Sequence, residues 1–230
     1  LGVASQGCGA TSFLSMIRKK DKFFPFPLLV QNKCCKFVGR NTINYSKLII
    51  AMKQTILVTG GTGFIGSHTT VELQQSGYKV VIVDNLSNSK AEVVDGIEKI
   101  TGVRPAFEKV DICDKQAIEA VFEKYPDIEG IIHFAASKAV GESVEKPLLY
   151  YRNNITSLLN LLELMPKHGV KGIIFSSSCT VYGQPSPEHL PVTEDAPIQK
   201  ALSPYGNTKQ INEEIIQDYI HSGADIKSII

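Results

Sequence analysis

Three glycines, Gly60, Gly63 and Gly66, stand at the junction of the apolar run Thr55 to Thr59 and a helical pattern from Phe64 to Ser76. Spaced in this way they leave few folds open. Gly60 lets the backbone turn sharply, Gly63 lets it approach a pyrophosphate, and Gly66 lets the helix lie close on the strand. The free N–H groups and positive end of that helix then form an anion site. A glycine triplet alone is weak evidence. Asp84, about twenty residues on at the end of the next apolar run, strengthens it, because a carboxylate there accepts hydrogen bonds from adenosine ribose hydroxyls and repels a 2′-phosphate. The expected cofactor is therefore NAD in preference to NADP, although Asp84 also reads as an ordinary turn aspartate.

Beyond this point strand and helix patterns alternate with short connections. Lys79 to Asp84 is a strand, and Ser89 with Glu92 has the spacing of a capping box for a helix reaching Thr101. Ala106 to Asp111 is a third strand, Lys115 to Tyr125 a helix and Gly130 to Phe134 a fourth strand. A long amphipathic helix runs from Leu148 to His168 and is stopped by Gly169. Lys171 to Ser176 is a fifth strand. Ser203 and Pro204 open another helix as N-cap and first-turn proline, and Asp225 to Ile230 begins a sixth strand. This alternation predicts an α/β fold, a doubly wound parallel sheet with helices on both faces.

Residues 1 to 51 read differently. They hold no sustained period, and their one apolar patch, Phe23 to Val30, is interrupted by Pro25 and Pro27. The expectation is a leader foreign to the fold, with Met52 as the credible start of the native domain. At the other end the apolar strand reaches Ile230 with nothing to cover it, which reads as truncation.

Composition excludes several classes of partner. A net charge of +1 with scattered Lys and Arg supplies no field for a nucleic-acid backbone. No apolar run approaches the ~20 residues that cross a bilayer. The cysteines, Cys8, Cys34, Cys35, Cys113 and Cys179, have no metal-site spacing and read as free thiols of a cytoplasmic protein.

Tyr205 and Lys209 stand four apart at the start of a predicted helix and so share one face. A phenol that ordinarily ionises near pH ~10 needs about 4 kcal/mol of preferential phenolate stabilisation to act as a base near neutrality. An exposed ion pair gives only ~0.2–1 kcal/mol. Lys209, the helix N-terminus and a positive nicotinamide ring acting together in a dry cleft would suffice. Ser178, just past the fifth strand, adds a hydroxyl able to share the proton.

From Thr55 to Ile230 the sequence resembles the extended short-chain dehydrogenases, and within them the UDP-glucose 4-epimerases very closely. The segments that carry the resemblance are Asp84 to Ser89, His133 to Ser143 with its Lys-Ala-Val-Gly-Glu-Ser run, Tyr150 to Asn154, Ser176 to Gly183 and Ser203 to Lys209. The resemblance implies that Gly60, Gly63, Phe64, Ile65 and Gly66 surround the pyrophosphate of NAD. It places Asp84, Asn85 and Ser89 on the adenosine side, with Asp111 and Ile112 at adenine. Phe134, Ala135, Ala136, Lys138, Asn153 and Ser176 then belong to the nicotinamide half. Ser178, Tyr205 and Lys209 fall on catalytic positions, Lys209 also reaching the nicotinamide ribose, and Lys138, Ser178 and Tyr205 face the UDP-sugar. Cys179 is expected to pack, not to react.

By resemblance, Tyr205 takes the proton of the sugar 4-hydroxyl while hydride leaves C4 for NAD, and the 4-keto sugar turns over before hydride returns. The long helix would pair with its twin in a homodimer, or serve only as core cover. The resemblance also implies that the chain stops before a smaller C-terminal substrate domain, so by itself it is expected to have negligible epimerase activity. Other readings stay open: a 4,6-dehydratase, a uronate epimerase, a reductase, or a non-catalytic NAD-binding module. Against the first, dehydratases of this family carry an Asp-Glu pair where this chain has Cys179-Thr180.

Overall fold

The computed structural model describes residues 54–230; the leader and the start at Met52 lie outside them. Six parallel strands, β1 (Thr55–Thr59), β2 (Lys79–Asp84), β3 (Ala106–Lys109), β4 (Ile128–His133), β5 (Gly172–Phe175) and β6 (Lys227–Ile229), form one sheet in the order β3-β2-β1-β4-β5-β6. Every residue of β1 is buried, as expected of a central parallel strand covered on both faces. Its alternation divides the interior. Leu57 packs with the helices α3 (Lys115–Lys124), α5 (Pro147–Leu164) and α6 (Pro204–His221), among Ile118, Phe122, Leu158, Leu161 and Ile216. Ile56 and Val58 face the other layer, α1 (Phe64–Gln75) and α2 (Val93–Thr101), through Leu73 and Ile97.

Several boundaries differ from expectation, each for a local reason. The capping box does not form: α2 starts at Val93, Glu92 is itself helical and makes no side-chain cap. Ser89 spends its hydroxyl on Asp84 and Thr62 instead. β3 stops at Lys109 because Asp111 folds its carboxylate onto the N–H of Cys113, 2.9 Å away, which turns the chain. The fourth strand runs Ile128–His133 and leaves Phe134 in the following loop. A short helix, α4 (Val140–Glu145), was not foreseen, and α5 begins at Pro147 and ends at Leu164, before the turn to Gly169. The sixth helix starts as expected, Ser203 accepting the N–H of Gly206 at 3.1 Å.

Candidate active site at the sheet's switch point

The strand order reverses beside β1, with β2 on one side and β4 on the other, and in such sheets the crevice opens outside the C-terminal strand ends. Those ends are Thr59, Asp84 and His133. The glycine turn after β1 is sterically closed to side chains. Gly60 has φ +66°, and a Cβ there would stand 2.8 Å from the backbone N of Ala135; a Cβ on Gly66 would stand 2.3 Å from the carbonyl oxygen of Gly60. Gly63 is the N-cap of α1, without a capping side chain and with no acidic residue in the first turn. The first-turn N–H groups and positive helix end therefore remain for an anion, with Phe64 71% exposed at the mouth. This cradle fits a pyrophosphate.

Asp84 is a turn residue at the mouth of the crevice. Its carboxylate accepts from Thr62 N at 3.2 Å, Leu86 N at 2.9 Å and Ser89 Oγ at 3.1 Å, leaving about one of its roughly four acceptor positions. Asn85 is exposed and reaches Asp111, Nδ2 to Oδ2 at 3.3 Å, so the loops that follow β2 and β3 meet at one edge. Ile112 is buried, and its carbonyl is held by Asn160 Nδ2 at 2.8 Å. Burial, followed by the charge of Asp111, pushes the neighbouring Cys113 thiol up to about 11, which makes it inert.

The loop after β4 is clipped to the cradle. Thr59 Oγ1 accepts the N–H of Ala135 at 3.3 Å and lies 2.7 Å from His133 Nδ1. Asn154 grips Ser137 by both backbone groups, accepting from its N–H at 2.8 Å and donating to its carbonyl at 3.0 Å, and donates at 3.0 Å to Thr208 on α6. Asn153 stands alongside, its Nδ2 3.2 Å from Ser137 Oγ. Phe134, Ala135 and Ala136 are partly buried, and Lys138 is exposed.

His133 is 2% exposed, and burial with the nearby charge of Lys209 holds its imidazole down to about 3. The unfolded chain binds a proton below about pH 6.5, so stability present above that pH drains away as pH falls toward 3, by at most about 1.4 kcal/mol per pH unit. We predict that the urea midpoint drops between about pH 6.5 and 4.5, and that His133→Gln flattens this slope; an equal slope in the variant would remove His133 as its cause.

Ser178, Tyr205 and Lys209 converge past the end of β5. Ser178 caps a 3₁₀ helix, Cys179–Tyr182, its Oγ accepting from Thr180 N at 3.3 Å. Lys209 is 4% exposed; its Nζ donates to the carbonyl of Ser176 at 2.7 Å and lies 4.7 Å over the Phe175 ring and 6.0 Å from the Tyr205 ring. Burial brings Lys209 down to about 8, with Glu213 acting in the opposite direction. Burial pushes the Tyr205 phenol above its ordinary value, the hydrogen bond with Ser178 pulls it back, and Cys179 adds to the rise. Cys179 is exposed, which corrects the packing role expected for it.

The sequence reading overlooked the residues that hold this site together: Thr59, His133, Asn154, Thr208 and Asn212, all at most 2% exposed. For Asn154, Thr208 and Asn212, polar side chains at core positions of α5 and α6 were the available signal. Among the described residues no group of three His, Cys, Asp or Glu could hold a metal ion, and no helix is long and apolar enough to cross a membrane.

A glycine cradle at the switch point with a Ser, Tyr and Lys set across the crevice defines a nucleotide-dependent fold of the short-chain dehydrogenase type. The chain belongs to the NAD dependent epimerase/dehydratase family, which matches residues 56–230. It is 54% identical over 163 residues to the UDP-glucose 4-epimerase of Bacillus subtilis (strain 168), 71% of this chain and 47% of that protein. Against the human UDP-glucose 4-epimerase it is 47% identical over 173 residues, 73% of this chain and 49% of the other. The crystal structure of the Bifidobacterium longum UDP-glucose 4-epimerase in complex with NAD+ and UDP superposes with a TM-score of 0.69 at 48% identity, covering 73% of this chain and 49% of that one. The chain thus spans about half the length of the curated relatives it matches.

Proposed function

We propose that the protein interconverts UDP-glucose and UDP-galactose, with this chain holding NAD and supplying the acid–base groups. The observation that carries the reading is the convergence of Ser178, Tyr205 and Lys209 beside a glycine cradle that admits no side chains. The similarity to enzymes named UDP-glucose 4-epimerase supports the choice of substrate.

Bound NAD supplies a reversible hydride acceptor for sugar C4. The polypeptide does the rest by position and charge. First-turn N–H groups of α1 bind the pyrophosphate, and Asp84 takes a ribose hydroxyl with its remaining acceptor position. Tyr205 accepts the proton of the sugar 4-hydroxyl, Ser178 shares it, and the Lys209 ammonium favours the phenolate. Since the chain's own groups leave the phenol above its ordinary value, its acidification requires the further positive charge that an oxidised nicotinamide brings. The exposed Cys179 offers no carboxylate for the elimination step of a dehydratase, which favours the epimerase reading.

We place the protein in the cytoplasm, where thiols such as those of Cys113 and Cys179 stay reduced. It works as a homodimer through α5, whose Leu148, Leu149 and Leu159 are exposed. The deciding experiment gives UDP-galactose to the intact purified protein with no cofactor added. Conversion to the equilibrium mixture with UDP-glucose is expected; absence of conversion, or a requirement for a stoichiometric hydride donor, would reject the reading. Asp84→Ala is expected to weaken NAD retention about tenfold or more and to narrow the preference over NADP. Parallel titrations with both cofactors check this, and an unchanged preference would leave Asp84 as a turn residue only.

A further inference from the structure

The Ser176–Ser178 segment carries two of the groups used above, the carbonyl that receives Lys209 and the hydroxyl of Ser178. Its middle residue, Ser177, does neither job. Ser177 Oγ instead donates to the Glu213 carboxylate on α6, one helical turn beyond Lys209 and on the same face. Glu213 therefore joins the end of β5 to the helix that bears Tyr205 and Lys209, one turn beyond the contact that Lys209 makes with Ser176.

We propose that Glu213 is a positioning residue for this site, fixing the Ser176–Ser178 segment against α6 through Ser177 and supplying the counter-charge for the buried Lys209 ammonium. The inference rests on the epimerase reading only for its kinetic consequence. The groups around Lys209 make the electrostatic part specific. Tyr205 and Glu213 share its helix, and His133 feels it from β4. Tyr182, in the 3₁₀ helix, is pushed above its ordinary value by burial and then by Glu194, Glu213 and Asp195. His133 is neutral at working pH, so among these neighbours Glu213 is the group that raises Lys209 while burial lowers it. With Glu213 neutral, Lys209 would lose its proton at lower pH, and Tyr205 would lose its cationic neighbour.

Two substitutions separate the roles. Glu213→Gln keeps an oxygen able to accept from Ser177 but removes the charge; Ser177→Ala removes the hydrogen bond but keeps the charge. The intact NAD-loaded protein, labelled with 13Cε-lysine, is titrated by NMR, with the Lys209 signal assigned by its loss in Lys209→Arg. In Glu213→Gln the Lys209 midpoint is expected to fall by about one pH unit, and the alkaline limb of kcat should move with it while KM changes little. In Ser177→Ala the midpoint should stay and kcat should fall at every pH. Glu213→Asp should recover part of the Lys209 midpoint. A Lys209 midpoint in Glu213→Gln unchanged from wild type would overturn the proposal. The lysine titration needs no sugar turnover, so a shifted midpoint in a protein that fails to convert UDP-galactose would sink the epimerase reading and leave Glu213's role standing.

Discussion

Tyr205→Phe in the intact protein is expected to lower turnover by about 10²–10⁴-fold, the usual contribution of a positioned acid–base group, while NAD stays bound. The substitution removes one oxygen and leaves the ring, which lies 6.0 Å from Lys209 Nζ. Pro204, the Ser203 cap and the Thr208 hydroxyl, 2.7 Å from the Tyr205 carbonyl, hold the backbone independently of the phenol. Under the proposed reaction, what goes is the acceptor for the sugar's proton, together with the partner of Ser178. In free-energy terms the loss is about 3–5 kcal/mol of transition-state stabilisation. Turnover and NAD content are measured on the same preparation: near-normal turnover would mean that another group takes the proton, and loss of NAD would mean that the phenol is mainly a binding residue.

The second large effect is expected at Gly66, in the first turn of α1. An added Cβ would lie 2.3 Å from the Gly60 carbonyl oxygen and 2.8 Å from the Gly61 Cα, both backbone atoms. Neither can rotate away, so Gly66→Ala must lift the helix from the glycine turn or tear the turn from Val83, whose carbonyl receives the Gly60 N–H at 2.8 Å. Overpacking of this kind costs about 1–3 kcal/mol, and here it falls on the pyrophosphate cradle, so NAD affinity should drop by about 10–100-fold. Gly96 in α2 is the internal comparison, since a Cβ there meets nothing within 4 Å. Gly96→Ala should leave NAD binding unchanged and raise stability by about 0.5–1 kcal/mol. Calorimetry with NAD on both variants distinguishes them; equal affinities would show that close approach of α1 is not what the cradle requires.

The fold was legible because its signals are local. β1 and β2 are unbroken apolar runs, α1 opens on the glycine turn, and α6 opens on a serine cap followed by proline, so each element announces its own boundary. Where two local signals competed, reading failed. Ser89 and Glu92 have capping-box spacing, but Asp84 claims the Ser89 hydroxyl from across the loop, a tertiary contact that no spacing shows. α4 was missed because six residues containing Gly141 are too few to display a helical period. Within the candidate site, Gly60, Asp84, Tyr205 and Lys209 could be found from spacing. Glu213 could not, because it acts on a residue far away in the chain, Ser177. The reading also gave Lys209 and the helix end a role in acidifying Tyr205 without weighing the cost of burying the phenol itself, which raises it in the folded chain.

That cost points to the most direct measurement. The phenol of Tyr205 is titrated by ultraviolet difference spectroscopy, wild type against Tyr205→Phe, with NAD removed and with NAD saturating. Ionisation above the ordinary tyrosine range is expected without NAD, and near neutrality with it. A phenol that titrates at the same pH in both states would contradict this.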